Sequence, residues 1–350
     1  MATLLDVSSA RKSKPTARNP GRGDWPAVRL HVVSGKGGTG KTTVAGALAL
    51  ALASGGRRVL LMEVEERQGI AQLFDTAPLP YEERLVAVAP DGGDVYALAV
   101  DTEAALLDYL EMFYNIRRAG TILRKVGAID FATTIAPGLR DVLLTGKAIE
   151  AVKRGERSGE PTYDAIVLDA PPTGRISRFL NVTSEVGGLA KVGPIKSQSD
   201  SVMGVIASKR TAVHLVTLLE EMPVQETLDG IEELHKNNLP VGGVFVNMVR
   251  EPRLDPTELT QALNGTLDEA DIRAGVKAAS LPTHLSTDKV VNALVTEANE
   301  HAQRVALEQA ERARLSTTDQ PIYELPEMNG GIDLGALYSL ARILRQQGAV

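Results

Sequence analysis

The feature that most constrains this chain is a glycine-rich loop, GKGGTGKT, which lies between two apolar runs within residues 28–56. The first run, VRLHVVS, is too apolar to alternate and predicts a buried parallel strand. The second run is rich in alanine and leucine and predicts a helix that ends near Gly55 and Gly56. The loop fits the spacing G-x-x-x-x-G-K-[ST], and its place between strand and helix predicts a site for nucleotide phosphates.

The residue types within this loop suit phosphate chemistry. Three glycines let the backbone turn tightly and point its N–H groups at phosphate oxygens. Lys41 is predicted to contact the β- and γ-phosphates and so to serve in catalysis, and the Thr42 hydroxyl is predicted to bind Mg²⁺. The residues of the loop that are predicted to bind the nucleotide are Gly37, Gly38, Thr39, Gly40, Lys41, Thr42 and Thr43.

Further apolar runs alternate with helical patterns at residues 57–65, 95–101, 163–172, 211–219 and 241–249. Strands that alternate with helices predict an α/β fold, a P-loop NTPase with a doubly wound, mainly parallel sheet. Two stretches, at about 103–160 and 181–210, are longer than ordinary crossovers and predict a helical insertion lobe on one edge of the sheet. Residues 286–314 predict one long charged helix, and residues 334–346 a final helix.

The domain division follows from composition. Residues 1–25 are basic and rich in serine, proline and glycine, and predict a disordered tail, with a weak contact to anionic lipid as the alternative. Residues 26–350 are expected to form a single P-loop ATPase domain. The final helix has one apolar face, which we expect to belong to the core and not to a membrane contact.

Composition also excludes several classes of function. The chain has no cysteine, which excludes disulfides, thiolate-bound zinc and iron–sulfur clusters. A net charge of −6 and 4% aromatic residues argue against nucleic acid as a partner. No run is long and apolar enough for a membrane span, and no secretory signal is evident, so a cytoplasmic location, with a peripheral membrane contact as the variant, is expected.

A second motif, DAPPTGRISRFL at Asp169–Leu180, indicates a family. Together with the KGGxGKT loop, a deviant Walker A motif, it resembles the arsenite-pump and tail-anchored-protein-targeting ATPases. The resemblance implies hydrolysis of ATP with Mg²⁺, in which Asp169 holds Mg²⁺ through a water and the N–H of Gly174 faces the γ-phosphate. It also implies that Asn247 and Pro326 contact the adenine base.

The loop contains a second lysine, Lys36, that the phosphate cradle does not need. In the ATPase class with this deviant loop, the extra lysine crosses a dimer interface onto the partner's nucleotide. The resemblance therefore implies a catalytic role for Lys36, comparable to an arginine finger, in a homodimer or in a heterodimer with a related ATPase subunit. The alternative is an exposed loop lysine without a role in catalysis.

The sequence departs from the family pattern at three places. The family's first switch reads Asp-Pro-Ala-His, whereas this chain has EVEERQGIAQLF, which places Glu65 at the position of the catalytic aspartate. Glu63 or Glu66 could instead be the operative carboxylate, or none of the three. Arg175 replaces the histidine of the second switch, and the absence of cysteine argues against arsenite as cargo.

The leading hypothesis is an ATP-driven dimeric switch that couples hydrolysis to capture or release of a partner. A protein cargo or membrane partner would bind the helical insertions. One alternative is a weakly catalytic structural subunit of a heterodimeric ATPase. Another is a regulatory ATPase of the division or partition type.

Overall fold

An eight-stranded sheet organises the described part of the chain, which in this computed structural model comprises residues 23–65, 67–114, 138–156, 159–189, 194–279 and 286–350. The strands are β1 Leu30–Gly35, β2 Arg58–Glu63, β3 Arg84–Val88, β4 Asp94–Ala99, β5 Ala165–Asp169, β6 Thr211–Thr217, β7 Val241–Val249 and β8 Ile322–Pro326. Their order across the sheet is β3-β4-β2-β5-β1-β6-β7-β8.

Every neighbouring pair of strands is parallel except β3 with β4. The predicted α/β fold with a mainly parallel sheet is thus confirmed. The edge strand β3 was not predicted. It runs antiparallel because only residues 89–93 join it to β4, and so short a connection cannot carry the chain back to the other end of the sheet.

Helices cover both faces of the sheet, as a doubly wound fold requires. The described helices are α1 Lys41–Ala53, α2 Gly69–Leu73, α3 Thr102–Tyr114, α4 Leu139–Lys153, α5 Thr173–Leu189, α6 Pro194–Ile206, α7 Glu221–Lys236, α8 Pro256–Asn264, α9 Glu269–Ala278, α10 Thr287–Leu315 and α11 Leu334–Gln346. Helices α1, α2 and α11 share one apolar cluster with the sheet, and α3 to α7 share the other.

Helix α1 is the central covering helix. All of its residues from Val44 to Ala53 are buried, which explains why its sequence is apolar on every side. Helix α11 packs against α1, with Leu337, Leu340 and Leu344 inaccessible or nearly so. The final helix therefore belongs to the core, as its one apolar face predicts.

The predicted insertions contribute to the same core. Leu144 and Val152 of α4, and Val205 and Ile206 of α6, are buried in the cluster that covers one face of the sheet. Residues 115–137, 157–158 and 190–193 of these insertions lie outside the described residues. How far the insertions rise from the sheet as a lobe stays a prediction.

The predicted basic tail lies almost wholly outside the described residues, since these begin at Gly23. Asp24 donates its N–H to the carbonyl of Gly348 at 3.1 Å, and the Trp25 ring meets the His214 ring edge to face at 5.1 Å. The packed domain therefore begins by Gly23, slightly before the boundary that we placed after residue 25. Within the described ranges, no helix combines the length and the apolar character that crossing a membrane requires.

Candidate nucleotide site

The phosphate loop lies at the carboxyl end of β1, in the middle of the sheet. Gly38 and Gly40 have φ angles of 89° and 84°, a region that glycine enters without the steric penalty of a side chain. A Cβ atom at Gly37 or Gly38 would meet no atom within 4 Å, so this side of the loop is open. The open side is where the sequence predicts phosphate oxygens.

The closed side of the loop rests on β7. The side-chain nitrogen of Asn247 donates to the Thr39 carbonyl at 3.0 Å, and a Cβ on Gly40 would lie 2.3 Å from that nitrogen. Thr39 in turn donates its hydroxyl to the carbonyl of Lys36 at 2.9 Å. The side-chain amide of Asn247 thus holds the closed side of the loop, and its predicted contact with adenine stays a prediction.

Thr42 connects the phosphate loop to the neighbouring strand end. Its hydroxyl donates to Oδ2 of Asp169 at 2.6 Å, and Oδ1 of Asp169 is buried with no hydrogen-bond partner among the described atoms. Burial raises the pKa of Asp169 to about 6, opposed by the Thr42 hydrogen bond and by the charge of Lys41. The nearby carboxylates of Glu63 and Glu65 add to the rise.

This arrangement fits a bound divalent cation. A buried carboxylate with an unpartnered oxygen is costly unless a positive charge compensates it. Mg²⁺ prefers hydroxyl, carboxylate and water oxygens, and it keeps several waters when few protein ligands are available. Among the described residues, no group of three or more acidic, cysteine or histidine side chains could hold a metal ion.

The three candidate carboxylates of the first switch differ in their surroundings. Glu63 is 4% exposed, and both of its carboxylate oxygens accept backbone N–H groups from α2, at 2.9 and 3.2 Å. The Glu65 side chain is 27% exposed and lies 3.8 Å from the Arg67 guanidinium. Glu66 lies outside the described residues. Of the two described carboxylates, Glu65 has the more accessible oxygens.

Glu65 lines a small cavity at the switch. The cavity has a volume of about 280 Å³, and its charged lining includes Glu65, Arg67, Arg140, Asp141 and Arg175, next to Pro171. Arg175 lies 3.9 Å from Asp141, whose pKa is raised by burial against the opposing charges of Arg175 and Arg140. The residue that replaces the family histidine therefore places a cation at the rim of this cavity.

Lys36 has a partner within its own chain. Its ammonium donates to Oε1 of Glu226, in α7, at 2.6 Å. Glu226 is not among the predicted site residues, and no local pattern points to it, because 190 residues separate the two side chains. α7 also lies close to the second switch, since a Cβ on Gly230 would lie 2.5 Å from the methyl group of Thr173.

The remaining predicted contacts lie at two places. Gly174 is in the first turn of α5, directly after the β5 strand end, where helix amides have no intrahelical partner. Pro326 ends β8 and lines a groove of about 800 Å³ between β7, β8 and α10. Arg250 and Glu327 pair across this groove through two hydrogen bonds of 2.6 and 2.9 Å.

Comparison with known proteins agrees with this architecture. Residues 28–207 match the family described as Anion-transporting ATPase. The chain belongs to that family. It is 54% identical over 328 residues to ATPase BagA of Mycobacterium tuberculosis, covering 93% of this chain and 96% of the relative. It is 30% identical over 232 residues to ATPase GET3 of Chaetomium globosum, covering 65% of this chain and 64% of the relative.

Membership of the anion-transporting ATPase family confirms the resemblance seen in the two motifs. It also confirms that the chain binds ATP and hydrolyses it. The matched residues include the phosphate loop, both switches and β5.

Proposed function

We propose that this chain is a Mg²⁺-dependent ATPase that works as a dimeric switch, in which hydrolysis governs the binding of a partner. The observation that carries the proposal is the contact between Thr42 and Asp169. It joins the phosphate loop to the second switch at the point where a cation and the terminal phosphate would meet. A change at the terminal phosphate would therefore be transmitted to α5 through the contact between Thr42 and Asp169.

The nucleotide is bound mainly by the loop. Its N–H groups and the α1 N-terminus bind phosphate oxygens on the open side, and Lys41 supplies a fixed positive charge. Thr42 and Asp169 would hold Mg²⁺, which supplies positive charge against the phosphate oxygens when it is bound. Pro326 would contact the base from its groove, and Gly174 would offer its N–H to the γ-phosphate.

Glu65 is the proposed carboxylate that orients the attacking water. Its side chain is partly accessible and lies at the cavity beside the second switch. Glu63 is less suited, because two backbone donors already occupy its oxygens. A glutamate reaches about one methylene farther than the family's aspartate, and the cavity at the switch offers room for that longer reach.

Lys36 is the proposed link between two chains. Charge that develops on the transferring phosphoryl group is stabilised by a cation that arrives when the site closes. For Lys36 to reach a second chain, its pair with Glu226 must open. A homodimer satisfies this role, and so does a heterodimer with a related subunit.

The test of this proposal is a mixing experiment. Lys36→Ala and Lys41→Ala chains are purified separately and mixed in the presence of Mg²⁺ and ATP. In a mixed dimer, the site of the Lys36→Ala chain keeps Lys41 and receives Lys36 from its partner. We expect the mixture to recover ATPase activity that neither variant has alone.

The control for this experiment is Lys209→Ala, which removes an exposed lysine just before β6. This lysine lies at the amino end of the strand, whereas the phosphate loop lies at the carboxyl end of the parallel neighbour β1. The Lys209→Ala chain should hydrolyse ATP like the unmodified chain, alone or mixed. No recovery in confirmed mixed dimers of the first two variants would place Lys36 within its own site. Negligible activity of the unmodified chain would favour the weakly catalytic subunit of a heterodimer.

A further inference from the structure

Glu63 ends β2 as a buried carboxylate that binds the start of α2. Its Oε1 accepts the N–H of Gly69 at 2.9 Å, and its Oε2 accepts the N–H of Ile70 at 3.2 Å. These bonds from residue 63 to residues 69 and 70 close the intervening segment, residues 64–68, into a ring. Residue 66 lies outside the described residues; the described part of this segment, residues 64–65 and 67–68, is here named the switch loop, and it carries Glu65.

The switch loop is also fixed on its outer side. The side-chain Nε2 of Gln68 donates to the Leu79 carbonyl at 3.1 Å, and the side-chain Oε1 of Gln68 accepts the Leu79 N–H at 2.7 Å. Gln68 has a φ of 55°, a conformation that is unfavourable for a residue with a side chain and persists only where surrounding contacts enforce it. Hydrogen bonds of Glu63 and Gln68 thus hold the two ends of the switch loop.

The ring lies against the predicted cation site. Glu63 and Asp169 are register partners on the neighbouring strands β2 and β5. A Cβ on Gly69 would lie 3.4 Å from the methyl group of Thr42 and 3.7 Å from Oε1 of Glu63. A shift of Gly69 would therefore reach Thr42, and a shift of the loop would displace Glu65.

We propose that Glu63 is a positioning residue for ATP hydrolysis: it acts through Gly69 and Ile70 to hold the switch loop, and with it Glu65, in the productive place. This inference rests on the proposed role of Glu65. Glu63 does not itself act on a water, because both of its oxygens are buried and occupied by backbone donors. Its charge suits two N–H donors better than a neutral amide does, since an ionised acceptor forms the stronger hydrogen bonds.

The experiment uses Glu63→Gln in the full chain. Glutamine keeps the size of the side chain but offers only one acceptor to the two donors. We expect kcat to fall about ten- to hundredfold, as for a catalytic group displaced by about an ångström, while the Kd for ATP changes less than about threefold. The amides of Gly69 and Ile70 should exchange faster with deuterium. Glu63→Asp, which keeps the charge but is too short to reach both donors, should give the same pattern.

Asp101→Asn is the matched control. Asp101 follows β4, the strand next to β2, and its Oδ1 accepts the N–H of Ala104 at the start of α3 at 2.7 Å. Like Glu63 it is a carboxylate at a strand end that accepts an N–H from the start of a helix, but it is exposed and binds a different helix. Asp101→Asn should therefore lower the unfolding temperature less than Glu63→Gln and leave kcat within about twofold.

If the unmodified chain is active alone, any of three results would overturn the proposal. One is an unchanged kcat in a folded Glu63→Gln chain, and another is a loss of kcat in Asp101→Asn as large as that in Glu63→Gln. A third is a Glu65→Gln variant with full activity, which would refute the positioning of Glu65 but leave ATP hydrolysis by the chain intact. If the unmodified chain alone is inactive, the proposed homodimer fails separately, and kcat is no longer the readout for Glu63. Exchange at Gly69 and Ile70 then decides the anchoring, and unchanged exchange in Glu63→Gln overturns it.

Discussion

The ammonium of Lys36 and the carboxylate of Glu226 form an ion pair of 2.6 Å within one chain. The two side chains are 32% and 38% exposed, so water reaches the pair and its strength is modest. The pair holds the lysine on α7, the helix that also contacts the second switch at Gly230. In the proposed dimer, Glu226 would therefore compete for Lys36 with the nucleotide of the second chain.

Glu226→Gln should lower the protein concentration that the chain needs for ATPase activity. A partly exposed pair is worth up to about 1 kcal/mol, so releasing Lys36 should lower the protein concentration at half-maximal specific activity by up to about fivefold. The measurement is the ATPase rate per chain across a dilution series.

Glu232→Gln is the control for this prediction, because it breaks the pair between Glu232 and Lys236 on the exposed side of the same helix. It should have no effect on the dilution series. A Glu226→Gln chain with the low turnover of Lys36→Ala would contradict the prediction, because it would mean that Glu226 holds Lys36 in its active place.

The two lysines of the phosphate loop should separate binding from turnover. Lys41→Ala should abolish ATP binding, because it removes the fixed cation that faces the β- and γ-phosphates. Lys36→Ala should bind ATP nearly as tightly as the unmodified chain and lose turnover, because its charge acts only in the transition state. Isothermal titration calorimetry with ATP measures the first effect and steady-state kinetics the second. Equal loss of binding in both variants would be inconsistent with separate roles.

Gly40→Ala should destabilise the protein, whereas Gly37→Ala should not. At Gly40 the new Cβ would meet the Asn247 amide at 2.3 Å, in a backbone conformation with φ of 84°. The left-handed conformation and the clash together should lower the free energy of unfolding by about 2–4 kcal/mol. At Gly37 no atom lies within 4 Å of the new Cβ. Urea unfolding compares the two, and similar midpoints would refute the steric argument.

A buried histidine pair should make the fold sensitive to mild acid. His31 and His214 are inaccessible to solvent, and their ring nitrogens Nδ1 and Nε2 lie 3.0 Å apart. His214 Nδ1 also accepts the N–H of Gly243 at 3.0 Å, which leaves Nε2 of His214 as the donor to His31. Burial lowers the pKa of His31 to about 3 and that of His214 well below its ordinary value.

The sign of the pH effect follows from these lowered pKa values. The unfolded chain binds protons below about pH 6.5 and the folded chain does not, so stability is complete above that pH and falls as the pH decreases. Each histidine contributes a slope of at most about 1.4 kcal/mol per pH unit. Urea unfolding between pH 6.5 and pH 5 should show this loss. His31→Leu should reduce the slope, and the exposed His235→Gln should not. A pH-independent midpoint in this range would contradict the prediction.

Local sequence patterns predicted most of the elements well. β7 has the predicted bounds, residues 241–249, and the long charged helix begins and ends within one residue of its predicted limits. These elements are encoded by the periodicity of contiguous residues. β3 was missed although its sequence, RLVAV, contains four consecutive apolar residues. It is an edge strand in which only Ala87 is buried, which the apolar run by itself does not reveal.

Two contacts of the site could not be predicted from any local pattern. Asn247 is correctly placed at the end of β7, but its amide binds the Thr39 carbonyl, 208 residues away. The resemblance implies a contact of Asn247 with adenine, which stays a prediction. Glu226 carries no signal of its own within α7, and its meeting with Lys36 depends on where that helix lies against the sheet.

The sequence by itself determined the phosphate loop, the α/β class and the family, because each of these rests on the spacing of neighbouring residues. The tertiary structure decided how the charged side chains pair: Glu63 with the start of α2, Thr42 with Asp169, and Lys36 with Glu226. Two of these pairings depend on the strand order and on the helix that each connection places at the carboxyl edge of the sheet. Side chains far apart in the sequence meet there, and their spacing along the chain carries no information about their distance in space.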